Sequence, residues 1–251
     1  MIKAGILLSG CGFYDGTEVS EAVLAALALE KAGARVVYIA PDIDQMHTVD
    51  HLSGSEVATD QRRLATEAAR LARGRVRSAA DQPPGELGAL VIPGGQGVVK
   101  NLMSNFAKLS APRVILPEVS ALLADLAQRK APIGSISLGR TLVQTFFDEP
   151  LGEEDMQIPA TEVVVDESRR LAFTPGFLTA TSLSEVAVGI GSRRGWFTFA
   201  GIVSILLGVL LWMQFPLSGA WALGILLGIK LLFIGLIMLM GGSAARSAAA
   251  G

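Results

Sequence analysis

Short apolar runs that end at turn-forming residues are the feature that most restricts how this chain folds. Such a run occurs four times in the first 140 residues, at 2–8, 36–40, 87–92 and 132–137. Uninterrupted apolar runs of this length are typical of buried parallel strands. Segments with a helical spacing of apolar residues lie between the runs. The alternation predicts an α/β fold in which helices cover both faces of a parallel sheet.

The clearest predicted helix spans Thr17–Lys31. Thr17 is of a residue type that caps helix N-termini, so we expect it at the N-cap. The inward stripe of this helix is predicted to be Val19, Val23, Leu24 and Leu27. Glu162–Asp166 and Arg170–Phe173 read as a short β-hairpin around the turn "DESR".

Three loops follow the carboxyl ends of predicted strands, at residues 9–18, 93–97 and 137–140. Open parallel sheets bind ligands at that edge, so these loops are the candidate site. The loop "PGGQG" would offer backbone N–H groups to an anion, or simply form a tight turn. Ser137, in "GSISLGRTL", occupies a strand-to-helix junction like that of a nucleophile elbow, although a serine there also suits a helix N-cap.

Composition excludes several functional classes. A net charge of -2 gives no electrostatic basis for nucleic-acid binding. Cys11 is the only cysteine, which rules out an intrachain disulfide, and two histidines without further cysteines do not form a zinc motif. We predict no metal and no cofactor. The first ten residues read as a strand rather than a signal peptide, which favours a cytoplasmic start.

Five segments together resemble the ElbB family, glyoxalase-like members of the class I glutamine amidotransferase-like (PfpI/ThiJ) superfamily. They are "LLSGCGFYDGTEVSEAV" (7–23), "APD" (40–42), "DHLSGSEV" (50–57), "VIPGGQGVVKNL" (91–102) and "VVVDESRRLAFTPGF" (163–177). The resemblance covers residues 1 to about 190. It implies a flavodoxin-like three-layer sandwich, often dimeric, and links the chain by name to isoprenoid biosynthesis.

The same resemblance implies a site built around Ser137. The family carries a nucleophilic cysteine at this position, and the match assigns Glu21, or else Glu18, as its carboxylate partner. The backbone N–H groups of Gly95 and Leu138 correspond to the oxyanion hole. A serine hydroxyl is a much weaker acid than a thiol and needs a positioned general base.

Two further departures from the family, and two matches to it, accompany that serine. Arg140 replaces a small residue or proline, and the segment between Pro150 and Glu162 is shorter than in ElbB-like proteins. His51 matches a family histidine with a structural role, as does Cys11, although a reactive surrogate thiol remains an alternative for Cys11. His47 and His51 both precede Ser137 in the chain. These features indicate lapsed or altered chemistry, so the site reads as degenerate and the chain as uncertain, leaning against an enzyme.

Between Trp196 and Met240 only one residue, Lys230, carries a charge. Two apolar runs joined by "QFPLSG" are each about long enough for a ~30 Å hydrocarbon core, which predicts a two-helix transmembrane hairpin. The segment resembles one hairpin of the HdeD family. The small residues that would let these helices associate are Gly201, Gly208, Gly224 and Gly228. Lys230 is expected to pair with a group in a partner subunit.

These features predict three regions: an ElbB-like domain at 1–192, a hairpin at 193–243 and a disordered tail at 244–251. Flanking arginines place both termini in the cytoplasm of a bacterial inner membrane, with the bilayer and other transmembrane subunits, or the chain itself, as partners. The leading functional hypothesis is a catalytically inactive accessory subunit of a membrane complex. The alternatives are a membrane-tethered glyoxalase, deglycase or amidohydrolase that uses Ser137 and Glu21, and a sensor of small anions.

Overall fold

The computed structural model describes residues 1–104, 113–149 and 157–191. The strands are β1 Lys3–Leu7, β2 Arg35–Ala40, β3 Val49–Asp50, β4 Ser55–Glu56, β5 Val76–Ser78, β6 Ala89–Ile92, β7 Met103–Ser104, β8 Val114–Ile115, β9 Ile133–Ile136, β10 Val164–Asp166 and β11 Leu171–Thr174. The helices are α1 Val19–Lys31, α2 Leu64–Leu71, α3 Gly97–Asn101, α4 Pro117–Gln128, α5 Gly139–Phe146 and α6 Leu183–Gly191.

Seven strands form the central sheet in the order β10-β11-β9-β6-β1-β2-β5. Every neighbouring pair is parallel except β10 and β11. This topology confirms the predicted flavodoxin-like α/β fold with a mostly parallel sheet. The predicted hairpin is also confirmed, and its second strand continues the sheet by pairing in parallel with β9.

The strand interiors form the core because helices cover both faces of the sheet. Ile6, Ile39, Leu90 and Ile92 have no accessible surface, and Ile133 is 2% exposed. Burying a side chain of this size contributes roughly 1.5–3 kcal/mol. The carboxyl ends of β1, β6 and β9 therefore belong to a rigid sheet. The loops that follow these ends are held in fixed positions by it.

Helix α1 corrects two predictions. Its N-cap is Glu18, whose Oε2 accepts from the N–H of Glu21 at 2.6 Å. Thr17 instead uses its buried hydroxyl to accept from the N–H of Ser9 at 2.7 Å. The apolar stripe predicted to face inward is wrong for three of its members, since Val19, Val23 and Leu27 are 40–53% exposed.

The rotation of α1 has a physical reason. Its buried face consists of Ala22, Ala25 and Ala26 together with Glu21. Alanines let a helix approach its neighbours closely, whereas the larger valines and leucines would hold it away. The orientation therefore directs Glu21 inward, towards the carboxyl edge of the sheet.

The polar segment 41–63, between β2 and α2, was not predicted as ordered structure. We call this segment the excursion. It contains the hairpin β3–β4, which is attached to the loop after β1 because Asp15 Oδ2 accepts from the N–H of Val49 at 2.8 Å. Asn101 adds a second attachment, as its Oδ1 accepts from the N–H of Met46 at 2.9 Å. These contacts hold the excursion at the same sheet edge as the candidate site.

Several predictions concern residues outside the described ranges. They are the hairpin at 193–243 with Gly201, Gly208, Gly224, Gly228 and Lys230, the tail at 244–251, and most of the shortened segment after Pro150. The boundary at residue 192 stays a prediction. In the ranges that are described, no helix combines the length and the apolar character needed to cross a membrane.

Candidate functional site

Ser137 occupies the turn between β9 and α5. Its φ of 52° places it in the left-handed region, which non-glycine residues rarely adopt. The turn is held by a bond from the N–H of Ser137 to the carbonyl of Thr174, at 3.0 Å, on the neighbouring strand β11. Gly139 lets α5 start close to the sheet, since a Cβ there would lie 2.2 Å from the carbonyl oxygen of Ile92. The strained geometry of a nucleophile elbow is therefore present, with a serine at its tip.

Glu21 reaches the elbow from α1 and has no accessible surface. Its Oε2 accepts from the N–H of Gly94 at 2.7 Å, and its Oε1 accepts from the N–H of Phe177 at 3.0 Å. The side-chain hydroxyl of Ser137 lies beside the carboxyl group and contributes to lowering its pKa. One carboxyl group thus joins the loop after β6, the elbow after β9 and the loop after β11.

The pKa of Glu21 is raised from 4.5 to about 7. Burial is the largest cause, because desolvation disfavours the charged form. The N–H groups of Phe177 and Gly94 oppose this by stabilising the carboxylate, while the nearby charge of Glu18 raises the pKa further. Glu21 therefore exchanges a proton near neutral pH, as a general acid or base must.

Two glycines make room for the Glu21 carboxyl group. A Cβ on Gly94 would lie 2.7 Å from the Cβ of Ser137 and 2.8 Å from Oε2 of Glu21. A Cβ on Gly176 would lie 2.4 Å from Oε1 of Glu21, and Gly176 has a φ of 52°. The sequence motif "PGGQG" indicated the first of these loops. The role of "TPGF" was not predicted, because every residue except proline has a backbone N–H. The identity of Phe177 therefore does not indicate that its N–H donates to Glu21.

The predicted oxyanion-hole positions lie beside the elbow. Gly95 is buried with a φ of 101°, and a Cβ there would lie 2.4 Å from the carbonyl oxygen of Gly16. Leu138 precedes the first residue of α5 as its N-cap. Neither the N–H of Gly95 nor that of Leu138 bonds to an acceptor within residues 1–104, 113–149 and 157–191. Both N–H groups are thus available to a ligand oxygen.

Arg140 lies one turn after Ser137 and is directed along the sheet. Its Nη2 is 3.3 Å from Oε2 of Glu149, and its guanidinium lies 5.4 Å from the ring centroid of Phe173. Glu149 also pairs with Arg169. The cation that replaces the small residue of the family is therefore balanced by a carboxylate and an aromatic face.

The other candidate residues lie apart from Ser137. His51 belongs to the excursion, where its Nδ1 is 3.0 Å from the carbonyl of Val49 and its Nε2 accepts from the N–H of Tyr14 at 3.3 Å. This agrees with the structural role expected for it. His47 pairs with Glu56 in the same hairpin, at 3.0 Å.

Cys11 is half-buried, and burial is the main reason that the pKa of its thiol is raised, with a contribution from the charge of Glu67. A thiol in this state is a poor nucleophile. No group of three or more potential metal ligands occurs in the ranges that the structure describes.

A flavodoxin-like sandwich with a strained elbow and a buried carboxyl group beside it is the arrangement of glutamine amidotransferase-like class 1 proteins. No protein-family model matches the chain. Individual proteins do. The chain is 31% identical over 215 residues to the rat "ES1 protein homolog, mitochondrial", which covers 76% of this chain and 80% of the rat protein. Identity and coverage are the same for the human "Glutamine amidotransferase-like class 1 domain-containing protein 3, mitochondrial".

A solved structure extends the likeness to three dimensions. The isoprenoid biosynthesis protein with an amidotransferase-like domain from Ehrlichia chaffeensis is 28% identical, with a TM-score of 0.70 over 79% of this chain and 100% of that one. The chain therefore belongs to the glutamine amidotransferase-like class 1 family that includes the ES1 proteins. The ElbB-like part of the predicted resemblance agrees with this assignment. None of the comparisons supports an HdeD-like hairpin.

The comparisons overturn two predictions. The rat, human and zebrafish relatives are mitochondrial proteins by name, which conflicts with a two-pass location in a bacterial inner membrane. The prediction of a membrane-anchored subunit of a membrane complex is also wrong, because nothing in these relatives supports it and no membrane-spanning helix occurs among the described residues. For the same reasons, the membrane tether is no longer part of the alternative hypothesis of an enzyme that uses Ser137 and Glu21.

Proposed function

We propose that the Ser137–Glu21 site binds a small molecule through a carbonyl or carboxylate oxygen and holds it without rapid turnover. The observation that carries this proposal is a buried Glu21 carboxyl group that Gly94 and Phe177 fix beside the hydroxyl of Ser137. The N–H groups of Gly95 and Leu138 supply the donors for the ligand oxygen. The polar parts of a recognition site are thus present and preorganised.

Binding is favoured over catalysis because of the acid strength of serine. A thiol at this position would ionise readily, whereas a serine hydroxyl needs a base that takes its proton during attack. His47 pairs with Glu56 in the excursion. His51 bonds to the backbone of Val49 in the excursion and of Tyr14 in the loop after β1. Glu21 is therefore the base that the described site offers. Glu21 is itself held by two N–H groups that stabilise its charged form, which lowers its basicity towards the serine hydroxyl.

The experiment is a ligand-observed NMR screen of small carboxylic and 2-oxo acids, followed by calorimetry of the acids that bind. Ser137→Ala and Glu21→Gln are expected to weaken binding by about tenfold, through the loss of a preorganised polar contact worth roughly 1–1.5 kcal/mol. Ser135→Ala is the matched control, because Ser135 is an equally buried serine two residues earlier on β9. The proposal would be overturned if no acid binds, or if Ser135→Ala loses as much binding affinity as Ser137→Ala.

A second candidate, slow hydrolysis or aldehyde chemistry at Ser137, is favoured by one observation. The pKa of Glu21, about 7, lies where a general base works best at neutral pH. Turnover of an activated ester or of methylglyoxal by the purified chain, abolished in Ser137→Ala and retained in Ser135→Ala, would establish this candidate in place of the first.

A further inference from the structure

An exposed aromatic cluster lies on the loop between β1 and α1. Phe13 is 40% exposed and Tyr14 is 37% exposed. Their ring centroids are 5.3 Å apart in an edge-to-face arrangement, and the ring of Tyr14 is also 5.3 Å from that of His51. We call these three residues the aromatic rim. Adjacent exposed aromatic rings on a buried loop backbone are unusual, since rings of this size normally contribute to the core.

The backbone of the aromatic rim is joined directly to the candidate site. The carbonyl of Phe13 accepts from the N–H of Gln96 at 2.8 Å, and Gln96 follows Gly95 in the chain. The carbonyl of Gly16 accepts from the N–H of Gly97 at 2.9 Å. The rim therefore lies beside the loop that carries one of the two free N–H groups.

The exposure of the rings belongs to an ordered loop. His51 accepts from the N–H of Tyr14, while Lys100 Nζ donates to the carbonyl of Tyr14 at 2.7 Å. Gly12, with a φ of 126°, lets the loop turn closely under His51, because a Cβ there would lie 2.4 Å from Nε2 of that histidine. Both polar groups of the Tyr14 backbone are thus anchored, which leaves its ring as the part that faces outward.

The charges around the aromatic rim favour an anionic ligand. Asp15 is 3% exposed, and its Oδ2 is occupied by the N–H of Val49. Lys100 places its ammonium group on the carbonyl of Tyr14, next to the rings. A ligand that approaches the site therefore meets apolar rings and the Lys100 ammonium group, whose neighbouring carboxylates are the buried Asp15 and the exposed Glu56.

We propose that the aromatic rim binds the apolar body of a ligand whose carboxylate or carbonyl oxygen is held by the N–H groups of Gly95 and Leu138. The site then selects small oxo or carboxylic acids that carry an aromatic or branched group over the shortest members of that class. This inference rests on the proposed function and adds the substrate class to it.

The test compares pyruvate with phenylpyruvate by isothermal calorimetry on the full chain. Wild type is expected to bind phenylpyruvate about tenfold more tightly, since one aromatic contact contributes roughly 0.5–1.5 kcal/mol. Phe13→Ala and Tyr14→Ala are expected to reduce this preference to within about twofold and to leave pyruvate affinity unchanged. Val164→Ala, an equally exposed apolar truncation on β10, is expected to change neither affinity.

The outcomes separate the two proposals. Equal affinity for both acids in wild type, or a preference that survives Phe13→Ala and Tyr14→Ala, overturns the aromatic rim and leaves the proposed function intact. Binding of neither acid overturns the aromatic rim, and it overturns the proposed function as well if no other acid of the screen binds. Tyr14→Phe retains the ring and is expected to keep the preference. A variant that loses affinity because it unfolds is recognised by the loss of its pyruvate affinity as well.

Discussion

The hydroxyl of Ser137 lies beside the carboxyl group of Glu21, which is 116 positions earlier in the chain on helix α1. Glu21 is in turn fixed by the N–H groups of Gly94 and Phe177. The elbow residue is therefore not an isolated serine at a helix start. It is one of three groups that meet at a single buried carboxyl group, and a change at one of them is expected to affect the others.

The first prediction concerns the pH dependence of stability. A carboxyl group with a pKa of about 7 in the folded chain and 4.5 when exposed binds more protons in the folded state. Its contribution is fully present below pH 4.5 and is lost as the pH rises to about 7, which lowers the free energy of unfolding by about 3 kcal/mol. Glu21→Gln removes this dependence. The difference in the free energy of unfolding between wild type and the variant should therefore change between about pH 4.5 and pH 7.

Urea unfolding of wild type and Glu21→Gln at pH 5, 6, 7 and 8 measures this difference. At pH 5 the variant should be the less stable, because its amide places an NH₂ group against an N–H of Gly94 or Phe177 and leaves it unsatisfied at a cost of about 1–3 kcal/mol. The gap should narrow towards pH 8. A gap that is constant across the range would show that Glu21 does not titrate between pH 5 and 8.

The second prediction concerns the thiol that the family resemblance implies at the elbow. Ser137→Cys places a thiol at the N-terminus of α5, where protonated Glu21 would donate to the thiolate and lower the thiol pKa. Burial raises the pKa of Cys11. The introduced thiol should therefore react with iodoacetamide at least about tenfold faster than Cys11 at pH 7.

Mass spectrometry of tryptic peptides measures both labelling rates in one sample. Combining Ser137→Cys with Glu21→Gln should slow labelling at position 137 and leave the rate at Cys11 unchanged. If Cys11 reacts faster in the single variant, the elbow does not activate a nucleophile in this chain.

The third prediction compares two residues with the same unusual backbone. Lys130 follows α4 with a φ of 53°, and Ser137 has a φ of 52°. Lys130 is exposed, so Lys130→Gly should stabilise the chain by about 0.5–1 kcal/mol through release of left-handed strain. Ser137→Gly releases the same strain but removes the polar contact with buried Glu21, a loss of about 1–2 kcal/mol.

Thermal or urea unfolding of both glycine variants provides the comparison. A gain in stability for Lys130→Gly together with no gain, or a loss, for Ser137→Gly is expected. An equal gain in both would mean that the Ser137 hydroxyl contributes nothing to the folded state, and that the strain at the elbow is not offset by its contact with Glu21.

The main parallel strands and the three site loops were predictable because apolar runs and glycines are local signals. Local sequence indicated Ser137 as an elbow position. Its partners Glu21, Gly95 and Leu138 came from the resemblance, since nothing in local spacing relates position 21 to position 137. The orientation of α1 was not predictable from hydrophobicity alone. Its alanine face is buried and its valines are exposed because Glu21 must face the elbow, and a stripe of larger residues outweighs alanines in any periodicity count.

The hydrogen bond from the N–H of Phe177 to Glu21 could not be predicted, for a different reason. A backbone N–H acts through the path of the chain, and residue type reports only indirectly on that path. Gly176 is the one sequence signal, because its positive φ and its lack of a Cβ let the loop after β11 reach Glu21. The small hairpins β3–β4 and β7–β8 were missed because two-residue strands have no measurable periodicity.

The last prediction tests whether this loop is shaped by Glu21. Gly176→Ala would place a Cβ 2.4 Å from Oε1 of Glu21, which cannot move aside because its other oxygen is bonded to Gly94. Gly85 is the matched control, since its φ is 78° and a Cβ there meets nothing within 4 Å. Gly85→Ala should cost only the left-handed strain of about 1–2 kcal/mol, and Gly176→Ala at least about 2 kcal/mol more. Urea unfolding at pH 7 measures both, and equal losses would mean that the loop after β11 accommodates the methyl group without disturbing Glu21.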